Sequence, residues 1–554
     1  MVSANVICPL CKDIVDKLVY RFHHDSERSV IEKIKHEFPE WTVNDGACSR
    51  CVDFFNAEIV MEQRILPSIG PHFSIKTMDD FIVIPTGLRL NADPRYTGKG
   101  VTICFIDSGF YPHPDLVANQ KRIKEYIDVN CGETGSKALS FGEGLGEVSK
   151  WHGTMTSVVC AGDGYLSNGL YKGIASDAEL ILLKVQNEEG RITTGNICKA
   201  LEWVLENHTT YNIRIVNMSL SDDVNASYKK SEVDKLAELL IDNGIIIVAA
   251  AGNDENGVIK PPANSLGVIA VGGIDDENNL EEPATKLYHS TYGITQDGLM
   301  KPELVAHAIW IGAPILPGTK QQEESKALHY LLKQQDKNLR NELHKLFAKT
   351  ELDDGVLSID DASHLREIII KRIQTCKYIS PDYMHVDGTS FAAPIVSSVI
   401  AQLLEINPSL TPAQVRTILF STAQRIEHVA AERQGFGAIQ PRKALLKVLK
   451  RESIAKPGSS PNLNIQKNTI DFLVQSDCAS QVSLAGSFNH WAQDVLLMEP
   501  CLDGLWKIEI PMLARGCYQY KFFVDEKIWI EDVENPYREP DGFAGFNSIL
   551  KIEN

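Results

Sequence analysis

The chain has 554 residues, of which 44% are hydrophobic and 23% charged, and it carries a net charge of −18. This length exceeds one ordinary domain, and the acidic balance argues against nucleic acid or an anionic membrane surface as the main partner. No basic-then-apolar leader opens "MVSANVICPLCKDIVDK", and no uninterrupted apolar run of about 18 residues marks a membrane span, so a cytoplasmic protein without membrane contact is expected.

Four of the twelve cysteines lie near the start, Cys8 and Cys11 in "CPLC" and Cys48 and Cys51 in "CSRC". Each CxxC turn presents two thiols, and two such turns complete a tetrahedral donor set. A four-cysteine zinc-knuckle domain is expected over residues 1–60; a disulfide pair or a redox CxxC is the alternative. Within it "IVDKLVYRF" and "SVIEKIKHEF" have helical apolar spacing. A connector follows over 61–95, with the strand-like "DFIVIPTGLRL".

From 96 to about 275, apolar runs alternate with longer amphipathic segments. "GVTICFID", "AELILLKV", "IRIVNMSL", "GIIIVAAAG" and "GVIAVGGI" read as strands; "GNICKALEWVLEN" and "SEVDKLAELLIDN" read as helices. The alternation predicts an α/β domain over 96–450, with a parallel sheet covered by helices on both faces. A charged stretch at about 319–378 interrupts it. There Leu328, Leu331, Leu332, Leu339, Leu343, Leu346 and Phe347 form the apolar stripe of one or two helices, and "DDASHLREIIIKRI" adds another. This reads as a helical insertion packed on the surface, or as a lid or docking element. A Pro/Gly/Ser-rich linker covers 451–465. Beyond it "QVSLAGSF", "LWKIEIPM", "CYQYKFFVD" and "KIWIED" predict a small antiparallel β-sandwich over 466–554.

Four stretches carry chemistry. "FIDSG" ends a predicted strand at Asp107, a place where a buried carboxylate can accept an imidazole N–H. "WHGTMTS" puts His152 at the start of a small-residue helix. "AAAGN" ends a strand at Gly252-Asn253, whose amide can donate to an oxyanion, and "DGTSFAAP" puts Ser390 at a helix start. In α/β folds active sites form at the carboxyl ends of parallel strands. Serine needs a base, usually a histidine oriented by a carboxylate, to act as a nucleophile. Each residue also has a plain structural use, as a cap, a turn or a packed side chain.

In that order the four blocks resemble the signature motifs of subtilisin-like serine proteases, whose Asp…His…Ser order they share; "NMSLS", "KPELVA" and "LTPAQVRTILFSTA" fit as well. The resemblance implies Ser390 as nucleophile, His152 as general base and Asp107 as its orienting acid. It implies an oxyanion hole from Asn253 and the Ser390 N–H, and a substrate-binding edge from Ser219, Leu220, Ser221, Ala250, Ala251 and Gly252. Protein or peptide substrates follow, with no cofactor for catalysis; calcium is frequent in the family, but no site is assigned. Two positions depart from the pattern. Met155 stands where a second histidine is usual, and Ser221 where glycine is usual. The segment between the cysteine region and residue 96 is too short and unpatterned for the family's inhibitory propeptide, which turns attention to the flanking domains for control.

The last region resembles the glycogen-binding modules of AMP-activated kinase β subunits and the isoamylase-type modules, through "VSLAGSFNHW", "GLWKIEIPM", "GCYQYKFFVDEKIWIED" and "NPYREPDGFAGFNSIL". The resemblance implies an α-glucan ligand held by Trp491, Lys521, Trp529 and Asn547. Indole faces stack on sugar rings while the ammonium and amide bond hydroxyls. The expected protein is an intracellular serine endopeptidase regulated by its flanks. The alternative is a non-catalytic glycan- or protein-binding scaffold on a protease fold. A glucan-cleaving enzyme is rejected, because no paired-carboxylate constellation is present.

Overall fold

The structure is a computed structural model. It describes residues 83–130, 137–138, 150–280 and 286–450, most of 460–552, and, before these, 6–10, 14–15, 18, 28–48, 51–52 and 55.

A nine-stranded sheet organises the central region. Its middle is parallel, with Ile269–Asp275, Ile246–Ala250, Ile213–Met218, Thr102–Asp107, Glu179–Lys184 and Ile123–Asp128 side by side; Leu304–His307 adds a further parallel strand against Ile269–Asp275. The two shortest members, Lys286–Leu287 and Lys137–Ala138, pair antiparallel. The inner strands are apolar throughout because both faces are covered. Along Thr102–Asp107, Ile103 and Phe105 enter one core while Cys104 and Ile106 enter the other. The first core lies under the helices Trp151–Ala161 and Thr389–Ile406. The second lies under Thr194–Tyr211 and Glu232–Asp242, which start on the side-chain caps of Thr193 and Ser231.

Thr389–Ile406 has the length and hydropathy of a membrane span, yet 83% of it is buried inside the fold; it is the central helix of a packed core. Its Ala392, Ala393 and Ala401 are completely buried, and small side chains let it lie close on the sheet.

The insertion forms the helices Lys320–Leu332, Asp336–Leu346 and Ala362–Thr375. Leu328, Leu331, Leu339 and Leu343 are fully buried and belong to the first core, with Leu332, Leu346 and Phe347 at its rim. The insertion is therefore continuous with the main core. It sits on a three-stranded antiparallel sheet of Ile311–Pro314, Tyr383–Val386 and Tyr378–Ser380.

Two local expectations are corrected. Ile14–Val15, read as the start of a helix, pairs antiparallel with Val6–Ile7; β-branched residues suit this pairing. "PTGLRL" is not a strand: Thr86–Arg89 forms a helical turn. The buried Arg89 guanidinium reaches Asp276 at 2.7 Å and Asn278 at 2.8 Å, a tertiary demand that overrides local pattern.

After the central region, two antiparallel sheets enclose a separate core. One holds Asn462–Asn464, Thr469–Gln475, Leu505–Pro511 and Glu499–Pro500; the other holds Val482–Gly486, Gly516–Val524, Ile528–Ile530, Phe546–Ile552 and Arg538–Pro540. Phe472, Leu484, Tyr520 and Phe522 fill the space between them. The first strand, Asn462–Asn464, lies within the residues read as linker; residues 451–459 are outside the described residues.

Candidate active site

Three neighbouring parallel strands end at one edge of the sheet and deliver Asp107, Ser219 and the 250–253 turn side by side. Parallel strands expose all their carboxyl ends on one edge, so residues distant in sequence meet there. The helix Thr389–Ile406 enters at the same edge with Ser390 in its first turn. Gly388 before it has φ 138, a backbone state closed to other residues without strain.

Asp107 is 1% exposed. Its Oδ1 accepts from His152 Nδ1 at 2.8 Å and from the Ser108 N–H at 2.6 Å, while Oδ2 accepts from Thr156 Oγ1 at 3.1 Å. Because the carboxylate only accepts, Nδ1 carries the hydrogen and Nε2 is left as the basic nitrogen. Burial disfavours the charged His152 ring, but the Asp107 charge and hydrogen bond outweigh it, so the pKa is raised above the ordinary imidazole value. Gly153 makes the approach possible: a Cβ there would stand 2.4 Å from the Gly109 carbonyl and 3.0 Å from Asp107 Cβ.

The His152 ring lies 6.1 Å from that of Phe391, the residue after Ser390. Ser390 Oγ is turned toward the Ser219 carbonyl at 3.4 Å, and Ser219 Oγ donates to the Ser390 carbonyl at 2.8 Å. Buried Asn217 supports this contact, donating to Ser219 Oγ and accepting from Ser397. Asn253 Oδ1 accepts from both the N–H and the hydroxyl of Thr389, each at 2.9 Å. An N–H can only donate, which fixes the amide orientation and leaves Nδ2 as a donor. The Ser390 N–H belongs to the first turn of its helix and has no helix carbonyl to bond.

Of the expected peptide edge, Ser219 contacts Ser390; Ala250 and Ala251 are buried at the strand end, with Ala251 N–H bonded to the Val271 carbonyl; Gly252 donates to Thr389 Oγ1; Leu220 is half-buried and Ser221 exposed. Met155, where histidine is usual, is a buried core residue. Thr389 and Thr156, which hold Asn253 and Asp107, were not singled out from sequence, although both lie inside the quoted blocks.

At the other ends of the chain, the sulfurs of Cys8, Cys48 and Cys51 lie within 4.8 Å of one another; Cys11 is outside the described residues. In the C-terminal sandwich Lys521, Trp529 and Asn547 lie on the outer face of the second sheet, opposite Tyr520 and Phe522. Trp491 and Trp529 meet edge to face at 6.0 Å. Lys521 is 8% exposed and paired with Asp541, and Asn547 is 7% exposed and donates to Gln519 Oε1 at 3.3 Å. The open part of this group is the tryptophan pair.

A parallel-sheet enzyme architecture with serine, histidine and aspartate at one strand edge frames the comparison with known proteins. The subtilase family profile matches residues 98–437, more than half of the chain, and the chain belongs to that family. The profile of carbohydrate-binding module 48, the isoamylase N-terminal domain, matches residues 458–537. Serine protease AprX of Bacillus subtilis is 28% identical over 352 residues, covering 62% of this chain and 65% of that protein. Subtilisin Savinase of Lederbergia lenta is 28% identical over 184 residues, covering 33% and 59%. The chain thus spans less than two thirds of the length of these relatives. Among solved structures, Sphericase aligns with a TM-score of 0.45 at 22% identity, over 65% of this chain and 98% of its own.

Proposed function

We propose that this chain is a serine endopeptidase acting on proteins or peptides through an acyl-enzyme. The observation that carries the reading is the 2.8 Å bond from buried Asp107 to His152, at the same strand edge as Ser390 and Asn253. Ser390 Oγ turns about its Cα–Cβ bond from the Ser219 carbonyl toward His152 Nε2, which takes its proton as Oγ attacks the scissile carbonyl. Catalytic hydrogen bonds are often unformed without substrate. The imidazolium is stabilised by Asp107, and the oxyanion receives Asn253 Nδ2–H and the Ser390 N–H, aided by the helix dipole. His152 then returns the proton to the leaving amine, and water repeats the cycle on the ester. Labelling by a fluorophosphonate probe tests this: wild type labels and Ser390→Ala does not. An unlabelled, well-folded wild type sinks the reading in favour of a scaffold.

The C-terminal module is proposed to hold an α-glucan on the Trp491–Trp529 pair. His490 and Trp491 have φ 55 and 59, a left-handed backbone that costs energy and supports a function for the presented ring. Retardation in a glycogen-containing gel, lost in Trp529→Ala, is the expected result; equal mobility of both proteins defeats it.

The three clustered thiols, with the Cys48 N–H donating to Cys8 Sγ at 3.4 Å, fit a zinc ion, held by Cys8, Cys48 and Cys51 and completed by Cys11. Bound zinc would supply structural cross-linking there, not chemistry. Thiolate ligands need reduced cysteines, in keeping with a cytoplasmic setting.

A further inference from the structure

The loop that offers Asn253 is held from outside by one short segment, residues 288–292, that no motif marks. Thr291 N–H donates to the Gly252 carbonyl at 3.0 Å. His289 Nδ1 donates to the Asn253 carbonyl at 2.8 Å. The Thr291 hydroxyl donates to the Asp254 carbonyl at 2.8 Å and accepts the Asp254 N–H at 3.2 Å. Glu255 is paired at 2.9 Å with Arg433, whose guanidinium lies 5.0 Å from the Tyr292 ring. Four successive residues, 252 to 255, are thus fastened to 288–292, three directly and the fourth through Arg433.

The segment is itself anchored in the sheet. Tyr288 N–H donates to the Gly273 carbonyl at 3.0 Å, and Gly273 N–H donates to Ser290 Oγ at 2.7 Å. Tyr288 and Ser290 are buried, whereas His289 between them is exposed. Exposure would leave its ring free to turn, but the Tyr288 ring lies against it at 4.0 Å. A carbonyl can only accept, so Nδ1 must carry the hydrogen in this contact. Asn253 is consequently gripped at two points, its side-chain oxygen by Thr389 and its backbone carbonyl by His289, and Nδ2 is the amide atom that neither bond uses.

Resting on the serine endopeptidase reading, we infer that His289 is a positioning residue for the oxyanion hole: its Nδ1–H fixes the Asn253 backbone so that Nδ2 meets the oxyanion as it forms. The Nδ2 contact that this bond positions counts only while charge develops on the substrate oxygen. Its loss therefore lowers kcat and leaves KM nearly unchanged.

The test compares three variants with kcat counted per active site from end-point fluorophosphonate labelling, alongside thermal melting. His289→Phe keeps a ring against Tyr288 and removes the donor; kcat falls about tenfold, less than the roughly 10²-fold that a full 1 Å misplacement or loss of the oxyanion donor costs, with KM within about twofold. His289→Asn carries its amide nitrogen on Cγ, as histidine carries Nδ1, and restores most of kcat. His289→Phe added to Asn253→Ala costs almost nothing more, because the donor being positioned is gone. Unchanged kcat in His289→Phe, no recovery in His289→Asn, or a full further tenfold loss in the double variant would each overturn the assignment while leaving an active, labelled wild type. A wild type that neither cleaves nor labels overturns both readings.

Discussion

Thr389 grips Asn253 twice, through its backbone N–H and its hydroxyl, both at 2.9 Å to the same amide oxygen. The residue before the proposed nucleophile thus orients the side chain proposed to receive the oxyanion, and ties two components of the site together. Asn253→Ala is expected to lower kcat by about 10²–10³, the cost of removing an oxyanion donor in a subtilisin, with a modest drop in melting temperature from the two lost Thr389 bonds. Thr389→Val keeps the backbone bond and loses the hydroxyl, so its loss of kcat should be smaller. Steady-state kinetics on a peptide substrate decide; full activity in Asn253→Ala would exclude it from the hole.

The pairing of His152 with Asp107 sets a pH dependence. As the proposed base, His152 works only when neutral, and its pKa is raised, so kcat/KM should fall on the acid side at a pH above the ordinary imidazole value of about 6.5. Asp107→Asn removes the charge that raises it and moves this limb to lower pH, with a drop in kcat of up to about 10⁴, as in another triad enzyme. The sign for stability is opposite. A raised folded pKa gives stabilisation fully present below about pH 6.5 and lost as pH rises through the folded value. The melting difference between Ser390→Ala and Asp107→Asn/Ser390→Ala should therefore be largest in acid and shrink toward alkaline pH. An unmoved acid limb in Asp107→Asn would remove Asp107 from the role.

Arg538 joins the C-terminal module to the central region. Its guanidinium carbon lies 3.0 Å from the Phe436 ring centre and 3.7 Å from that of Phe546. Phe436 stacks on Phe420 at 4.3 Å, and Arg416 lies between Phe420 and Tyr537. Burial lowers the Arg538 pKa to about 10 despite Glu531 beside it, so the side chain stays charged at neutral pH. A cation–π contact is worth about 0.5–1 kcal/mol when exposed and about 2 kcal/mol or more when desolvated. Arg538→Ala should lower the melting temperature and make the C-terminal module more susceptible to an added protease, in a Ser390→Ala background. Arg538→Lys should not rescue, because an ammonium cannot stack between two rings. Melting of Arg538→Lys at the wild-type temperature would refute the stacked brace.

Zinc removal gives a separate readout. One zinc per chain is expected by atomic absorption, released by a strong chelator with loss of protection in the first 55 residues by hydrogen exchange. Cys48→Ser should lose the metal outright. A metal-free protein with an equally protected N-terminal region would eliminate the zinc proposal.

Much of this protein is written locally. The strands Thr102–Asp107, Ile213–Met218 and Ile246–Ala250 are legible because buried parallel strands must be apolar on both faces. Asp107 and Asn253 stand out as polar residues at the ends of such runs, but their grouping with His152 and Ser390 is legible only through the resemblance of the four blocks, in their order, to the subtilisin-like motifs. The insertion helices follow from their leucine spacing, and the terminal sandwich from its short alternating strands.

What sequence alone left undecided depends on residues that meet only after folding. "PTGLRL" looked extended until Arg89 had to reach Asp276 and Asn278, 187 and 189 positions away. Nothing in "YHST" tells that His289 grips the Asn253 carbonyl, because both are ordinary loop residues until neighbouring strands bring the loops together. The Arg538 stack draws on Arg416, Phe420, Phe436, Tyr537 and Phe546; Arg416 and Phe420 share the i,i+4 spacing of one helix, but no local rule brings that pair to Phe436, Tyr537, Arg538 and Phe546. The sequence by itself determined the elements, the chemistry-bearing residue types and their order, since these rest on local periodicity and on polar groups set among apolar ones. Only the tertiary structure decided which donor faces which acceptor, because a hydrogen bond depends on tenths of an ångström between segments that the chain alone does not hold together.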